Sequence, residues 1–181
     1  MSKAKLQHVT LVGHMGSGKS TIGPLLGSLM DFGHVDLDVV IANRAGRSIG
    51  VIFEEKGEKV FRDLEEQALK SKISSLDPLV ISTGGGIVER TSNRKLLKEE
   101  SLVVWLRADI EALVKRVSRQ SLRPLLKGKD PLEVLTQLDE ERASLYEDLA
   151  DIEIDTSNMK PSNVSELLFD SLKSHLGVEN E

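Results

Sequence analysis

The residues best suited to chemistry stand together near the start of the chain, in Gly13-His14-Met15-Gly16-Ser17-Gly18-Lys19-Ser20. They fit the pattern of glycine, four residues, Gly-Lys and then Ser or Thr, whose chemistry is the binding of a nucleoside triphosphate. Backbone N–H groups must close around phosphate oxygens in such a loop, and a side chain there would take the ligand's place. Lys19 supplies a point charge for the outer phosphates, and Ser20 offers a hydroxyl to the accompanying magnesium ion. The N-terminus of the following helix adds a partial positive charge. Two carboxylates follow at Asp36 and Asp38. On an extended strand, acids one residue apart point in opposite directions, so one can face the metal near Ser20 and the other a second substrate. The plainer reading is a loop of solvated acids.

Further candidates lie downstream. Arg62, Glu65 and Glu66 have the spacing of helical ion pairs and, taken in isolation, read as a surface network. Gly84-Gly85-Gly86 ends an apolar run and either lets the backbone approach a ligand or makes a flexible turn. Lys115, Arg116, Arg119, Arg123, Lys127 and Lys129 occupy one acid-free segment of an otherwise acidic chain. That segment is either a solvated helix face or a mobile cover that carries cations toward polyphosphate. Arg142 and Tyr146 stand a turn apart on a later helix. His14 has no acid beside it in sequence and is expected to face solvent. The strand before the glycines ends without an acid, and no Asp-x-x-Gly or Asn-Lys-x-Asp stretch occurs. Both observations weigh against motor ATPases and GTPases.

The elements that must position these groups are five short apolar strands alternating with amphipathic helices. The strands are expected at 6–12, 34–38, 79–83, 102–106 and 152–156. This alternation predicts an α/β protein with a parallel sheet, right-handed crossovers and ligands at the carboxyl ends of the strands. Two helices should meet at Gly57, the second carrying an apolar stripe that includes Leu64, Leu69 and Leu76. A last helix should turn Val164, Leu167, Leu168, Leu172 and Leu176 inward. At 181 residues and 39% hydrophobic content the chain suits one domain. A net charge of −5 argues against a nucleic-acid or membrane-surface binder. With no cysteine, no apolar signal core and no stretch of membrane-spanning length, a cytoplasmic protein without disulfides is expected.

In their order and spacing these motifs resemble the shikimate kinases, from about Val9 to Leu172. The resemblance rests on the Gly13–Ser20 loop, Asp36-Leu-Asp38, Gly46-Arg-Ser-Ile49 and Phe61-Arg62-x-x-Glu65. It continues through Thr83-Gly-Gly-Gly86, Arg123-Pro-Leu-Leu126, and Glu141-Arg142 with Leu145-Tyr146. It implies a three-layer P-loop NTPase-like fold, a five-stranded parallel sheet flanked by helices. Residues 1–176 would form a single domain with a small substrate-binding subdomain at about 38–65 and a lid at about 118–129, followed by a frayed tail at 177–181.

The implied activity is ATP-dependent phosphorylation of the 3-hydroxyl of shikimate by a monomer, with Mg2+ as cofactor and no nucleic-acid or membrane partner. By position, Gly13, Gly16, Ser17, Gly18, Lys19, Ser20, Thr21, Arg116 and Arg123 would bind ATP, Arg116 stacking on adenine and Arg123 reaching in from the lid. Asp38, Arg62, Gly84, Gly85, Gly86 and Arg142 would bind shikimate, the two arginines clamping its carboxylate. Asp38, Lys19 and Arg123 would act on the reacting groups, and Ser20 with Asp36, the latter through water, would hold the metal. Leu37 stands where the family often has Thr, His14 is an unusual loop residue, and Met159 falls where the adenine pocket varies. Two alternatives stay open: a relative that phosphorylates another hydroxylated acid such as gluconate, and a regulatory nucleotide-binding module without catalysis. A nucleoside monophosphate kinase is disfavoured, because no base-recognition site for a second nucleotide is visible.

Overall fold

The computed structural model describes residues 8–118, 126 and 128–176. Its strands are β1 (His8–Val12), β2 (Gly33–Asp36), β3 (Leu79–Ser82), β4 (Ser101–Arg107) and β5 (Ile152–Asp155), joined in one sheet of order β2-β3-β1-β4-β5. Every pairing is parallel. Each connection must therefore cross a sheet face, and the helices that make the crossings bury both faces. Alternate residues serve opposite layers. Val9, Leu11, Val80, Val104 and Leu106 pack against Ile22 and Leu26 of α1 (Lys19–Met30) and Val164, Leu168 and Leu172 of α7 (Pro161–Leu176). Val12, Ile81, Val103 and Trp105 meet Phe61 and Leu69 of α3 (Ile49–Ile73), Leu97 of α4 (Thr91–Glu100) and Tyr146 of α6 (Pro131–Leu149). Each fully buried aliphatic side chain of this kind contributes roughly 1.5–3 kcal/mol.

All five expected strands are present, with shifted ends. The second stops at Asp36, and α2 (Leu37–Ala45) begins at once, because the Asp36 carboxylate accepts a hydrogen bond from the Asp38 N–H at 3.0 Å and caps the helix. Asp38 therefore sits in a first helical turn and not on a strand, which corrects the expected opposed pair of acids. The boundary expected at Gly57 is a break inside α3, where Gly57 has φ 79 and ψ 170. A Cβ there would meet nothing, so it is the left-handed backbone that selects glycine. The helix ends at Ile73, which leaves Leu76 fully exposed and outside the stripe assigned to it. Leu167 is 49% exposed, because the buried stripe of α7 runs through Val164, Leu168 and Leu172 at intervals of four and passes it by.

From β1 the chain first runs to the edge strand β2 and returns to place β3 between them, then crosses to the other side of β1 for β4 and β5. Such a reversal opens a crevice at the carboxyl end of β1, where the glycine loop begins. A one-turn 3₁₀ helix, Gly85–Val88, and α5 (Ile110–Val117) border the same crevice. No described helix is long and apolar enough to cross a membrane.

Candidate active site

The loop after β1 holds Gly13, Gly16 and Gly18 at φ 137, 82 and 104. A Cβ on Gly13 would also lie 2.5 Å from the Leu106 carbonyl oxygen, so both conformation and space require glycine there. Within the loop the buried Lys19 ammonium donates to the carbonyls of Gly13 at 2.6 Å and His14 at 2.8 Å. The Ser20 hydroxyl donates to Asp36 Oδ2 at 2.6 Å. One carboxylate thus fixes both the serine at the start of α1 and the first turn of α2 that carries Asp38.

A cavity of about 360 Å³ opens over this loop. Residues Gly16 through Thr21 and Arg116 wall it, together with Thr156 and Met159 from the exit of β5. Arg116 donates to the carbonyls of Gly16 and Ser157, each at 3.1 Å, and also to the carbonyl of Thr156, so α5 ties the loop to that exit. The expected triphosphate residues Gly16 through Thr21 and Arg116 therefore converge, and Gly13 precedes them directly after β1. Arg123 and most of the expected lid lie outside the described residues.

A second cavity of about 80 Å³ adjoins the first. Met15, Asp38, Gly84 and Gly85 wall both, while Arg62 and Arg142 wall only the smaller. Both arginines are buried, at 7% and 4% exposure, so the isolated reading of Arg62 as part of a surface network does not hold. Arg62 donates to Glu65 Oε2 at 2.9 Å and Glu58 Oε1 at 3.0 Å, and its Nε lies 3.1 Å from Glu89 Oε2. Arg142 donates to Glu89 Oε1. Glu66 turns instead toward Lys70 and Arg90. Burial pushes the Glu65 carboxyl up to about 7; Arg62 opposes the rise, and Asp38 and Glu89 reinforce it. The Tyr146 hydroxyl donates to the Gly85 carbonyl at 2.6 Å and steadies the glycine turn from α6. At Gly86 the backbone lies flat against Arg62, and a Cβ would come within 2.1–2.3 Å of its guanidinium.

His14 is not solvent-facing. It is 4% exposed, its Nε2 lies 3.0 Å from Asp139 Oδ1, and its ring meets Tyr146 edge-on at 5.1 Å between centroids. Burial outweighs the neighbouring acid and lowers its pKa to about 4. Its partner comes from α6, more than a hundred residues away, so no local pattern announces it. Asp139, Glu58 and Glu89, the acids paired with His14, Arg62 and Arg142 behind the cavity walls, are the residues that motif reading missed. Of these, Glu89 alone carried a signal, standing three residues past the glycine run.

The family model for shikimate kinase matches residues 15–173. The chain belongs to the shikimate kinase family. A shikimate kinase of Marinomonas sp. (strain MWYL1) is 43% identical over 176 residues, 97% of either chain. The structure of shikimate kinase from Acinetobacter baumannii in complex with shikimate is 34% identical, covers 94% of each chain and superposes with a TM-score of 0.90. As a shikimate kinase the chain is a transferase that phosphorylates an alcohol group of shikimate. A gluconokinase from Sinorhizobium meliloti 1021 superposes at a TM-score of 0.57 with 15% identity, a likeness of fold alone.

Proposed function

We propose that phosphoryl transfer from ATP to the 3-hydroxyl of shikimate takes place where the two cavities meet. One observation carries this reading: a phosphate-binding loop and a pair of buried arginines line adjoining spaces that share Asp38, Gly84 and Gly85. Gly13 through Thr21 would hold the triphosphate, with Arg116 against the adenine. Arg62 and Arg142 would grip the acceptor's carboxylate, since paired planar guanidinia match its two oxygens, and Gly84–Gly86 would contact the hydroxylated ring through backbone. That grip delivers a hydroxyl to Asp38, which orients it and accepts its proton as the bond to phosphorus forms.

Transfer of this kind demands mainly position and charge compensation. Lys19 and Arg123 would supply the compensation, and the segment at about 38–65 with the lid at about 118–129 would close to exclude water. The Ser20 hydroxyl and Asp36 carboxylate fit Mg2+, which prefers hard oxygens. No cluster of three or more candidate side chains exists among the described residues, so phosphates and water would complete its shell. When bound, the ion would offset charge on the outer phosphates.

The test is ADP release with MgATP, comparing shikimate, gluconate and no acceptor at matched concentrations. Shikimate-dependent release is expected. Stimulation by gluconate alone would overturn the acceptor assignment, and ATP binding without any stimulated release would favour a regulatory module.

A further inference from the structure

Glu89 stands just past the 3₁₀ turn that ends the glycine run, outside the walls of the smaller cavity, yet its carboxylate reaches both of that cavity's arginines. Oε2 lies 3.1 Å from Arg62 Nε. Oε1 accepts from Arg62 Nη2 at 3.4 Å and from Arg142 Nη2, so both guanidinia converge on one oxygen. The two arginines come from different helices, α3 and α6, and their like charges would drive them apart without an anion between them. Arg62 has two further acids, Glu65 and Glu58. For Arg142, Glu89 is the acid in ion-pair contact among the described residues.

From this geometry we infer that Glu89 is a positioning residue for the acceptor clamp: it yokes Arg142 to Arg62 from behind and leaves their cavity-facing donors aligned for an incoming carboxylate. The inference rests on the reading that these two arginines bind the acceptor. A carboxylate anchored on the glycine turn also couples the clamp to the backbone of Gly84–Gly86, so ring contact and carboxylate contact are set together. Because Glu89 touches neither cavity, its effect passes through acceptor binding and not through ATP or the transfer step.

The test is steady-state kinetics on Glu89→Ala, Glu89→Gln, Arg142→Ala and the Glu89→Ala/Arg142→Ala double variant, with thermal melts to confirm folding. Glu89→Ala should raise the shikimate KM about tenfold while kcat stays within about twofold and the ATP KM is unchanged. Glu89→Gln, which keeps the shape but loses the charge, should fall between wild type and alanine and carries the test if the alanine variant does not fold. In the Arg142→Ala background, Glu89→Ala should add less than about twofold, because the residue it positions is gone. An unchanged shikimate KM in Glu89→Ala, beside a raised one in Arg142→Ala, overturns the positioning role alone. A lowered KM also overturns it, showing that Glu89 occupies the acceptor's own seat and competes for it. An unchanged KM in Arg142→Ala overturns the clamp reading itself.

Discussion

Gly86→Ala is a sharp probe of the proposed acceptor half of the site. Gly86 does not have positive φ, so alanine fits its backbone and the whole perturbation is the added methyl. That methyl would lie 2.1 Å from Arg62 Nη2 and 2.3 Å from both Cζ and Nη1. Comfortable carbon contacts begin near about 3.5 Å, so the guanidinium must retreat by on the order of 1 Å or more. It is the far end of a flexible side chain, so it gives way before the fold does. Its retreat strains the contacts to Glu58, Glu65 and Glu89 and misaligns the clamp. Misplacement by about 1 Å costs about 10²-fold in rate, or about 2.7 kcal/mol. The expected result, read by ADP release with shikimate varied at saturating MgATP, is a fall of about 10²-fold in kcat/KM for shikimate. The ATP KM should hold and Tm should drop by only a few degrees. A kcat/KM within about threefold of wild type would refute the reasoning, because Arg62 would then not need its place against Gly86.

Three further outcomes are expected. Asp38→Asn should lower kcat by about 10² to 10⁴ with a smaller change in shikimate KM, and near-normal turnover in the same assay would remove Asp38 from the proton-accepting role. Asp36→Ala frees the Ser20 hydroxyl and uncaps α2. The Mg2+ concentration for half-maximal activity should rise and stability should fall by about 1 kcal/mol, whereas an unaltered Mg2+ titration would contradict the metal assignment. His14 has a folded pKa near 4, below its ordinary 6.5, so between those values the unfolded chain takes up a proton that the native one refuses. The stability it contributes is full above pH 6.5 and is lost as the pH falls toward 4. Melts at pH 7 and pH 5 should therefore separate less for His14→Phe than for wild type, and equal separations would refute the buried, neutral histidine.

The phosphate loop was legible in sequence because its constraint is local: glycines at positive φ, then lysine and serine, within eight residues. The parallel sheet was legible for a similar reason, since doubly buried strands must read as short apolar runs between amphipathic helices. Asp38 lines both cavities, but its expected place on a strand was wrong, because strand and capped helix start differ by one side-chain hydrogen bond from Asp36 that no periodicity records. Arg62 shows the opposite limit. Its i+3 and i+4 spacing looks like a solvated ion-pair face, and only the approach of Gly86, Glu89 and Arg142 from distant segments buries it. His14 and Asp139 meet across the whole chain, so neither residue's neighbours in sequence could foretell the pair.

Whether two guanidinia read a carboxylate while the loop reads phosphates is tested most directly by comparing shikimate with its uncharged carboxamide as acceptors, in the wild-type enzyme and in Arg142→Ala. Loss of the charged partner from a buried pair costs about 2–5 kcal/mol, so the carboxamide should raise the wild-type acceptor KM by about 30-fold or more while the ATP KM is unchanged. In Arg142→Ala the gap between acid and amide should shrink. Equal KM values for acid and amide in the wild-type enzyme would contradict the division of the site into a triphosphate half and a carboxylate half.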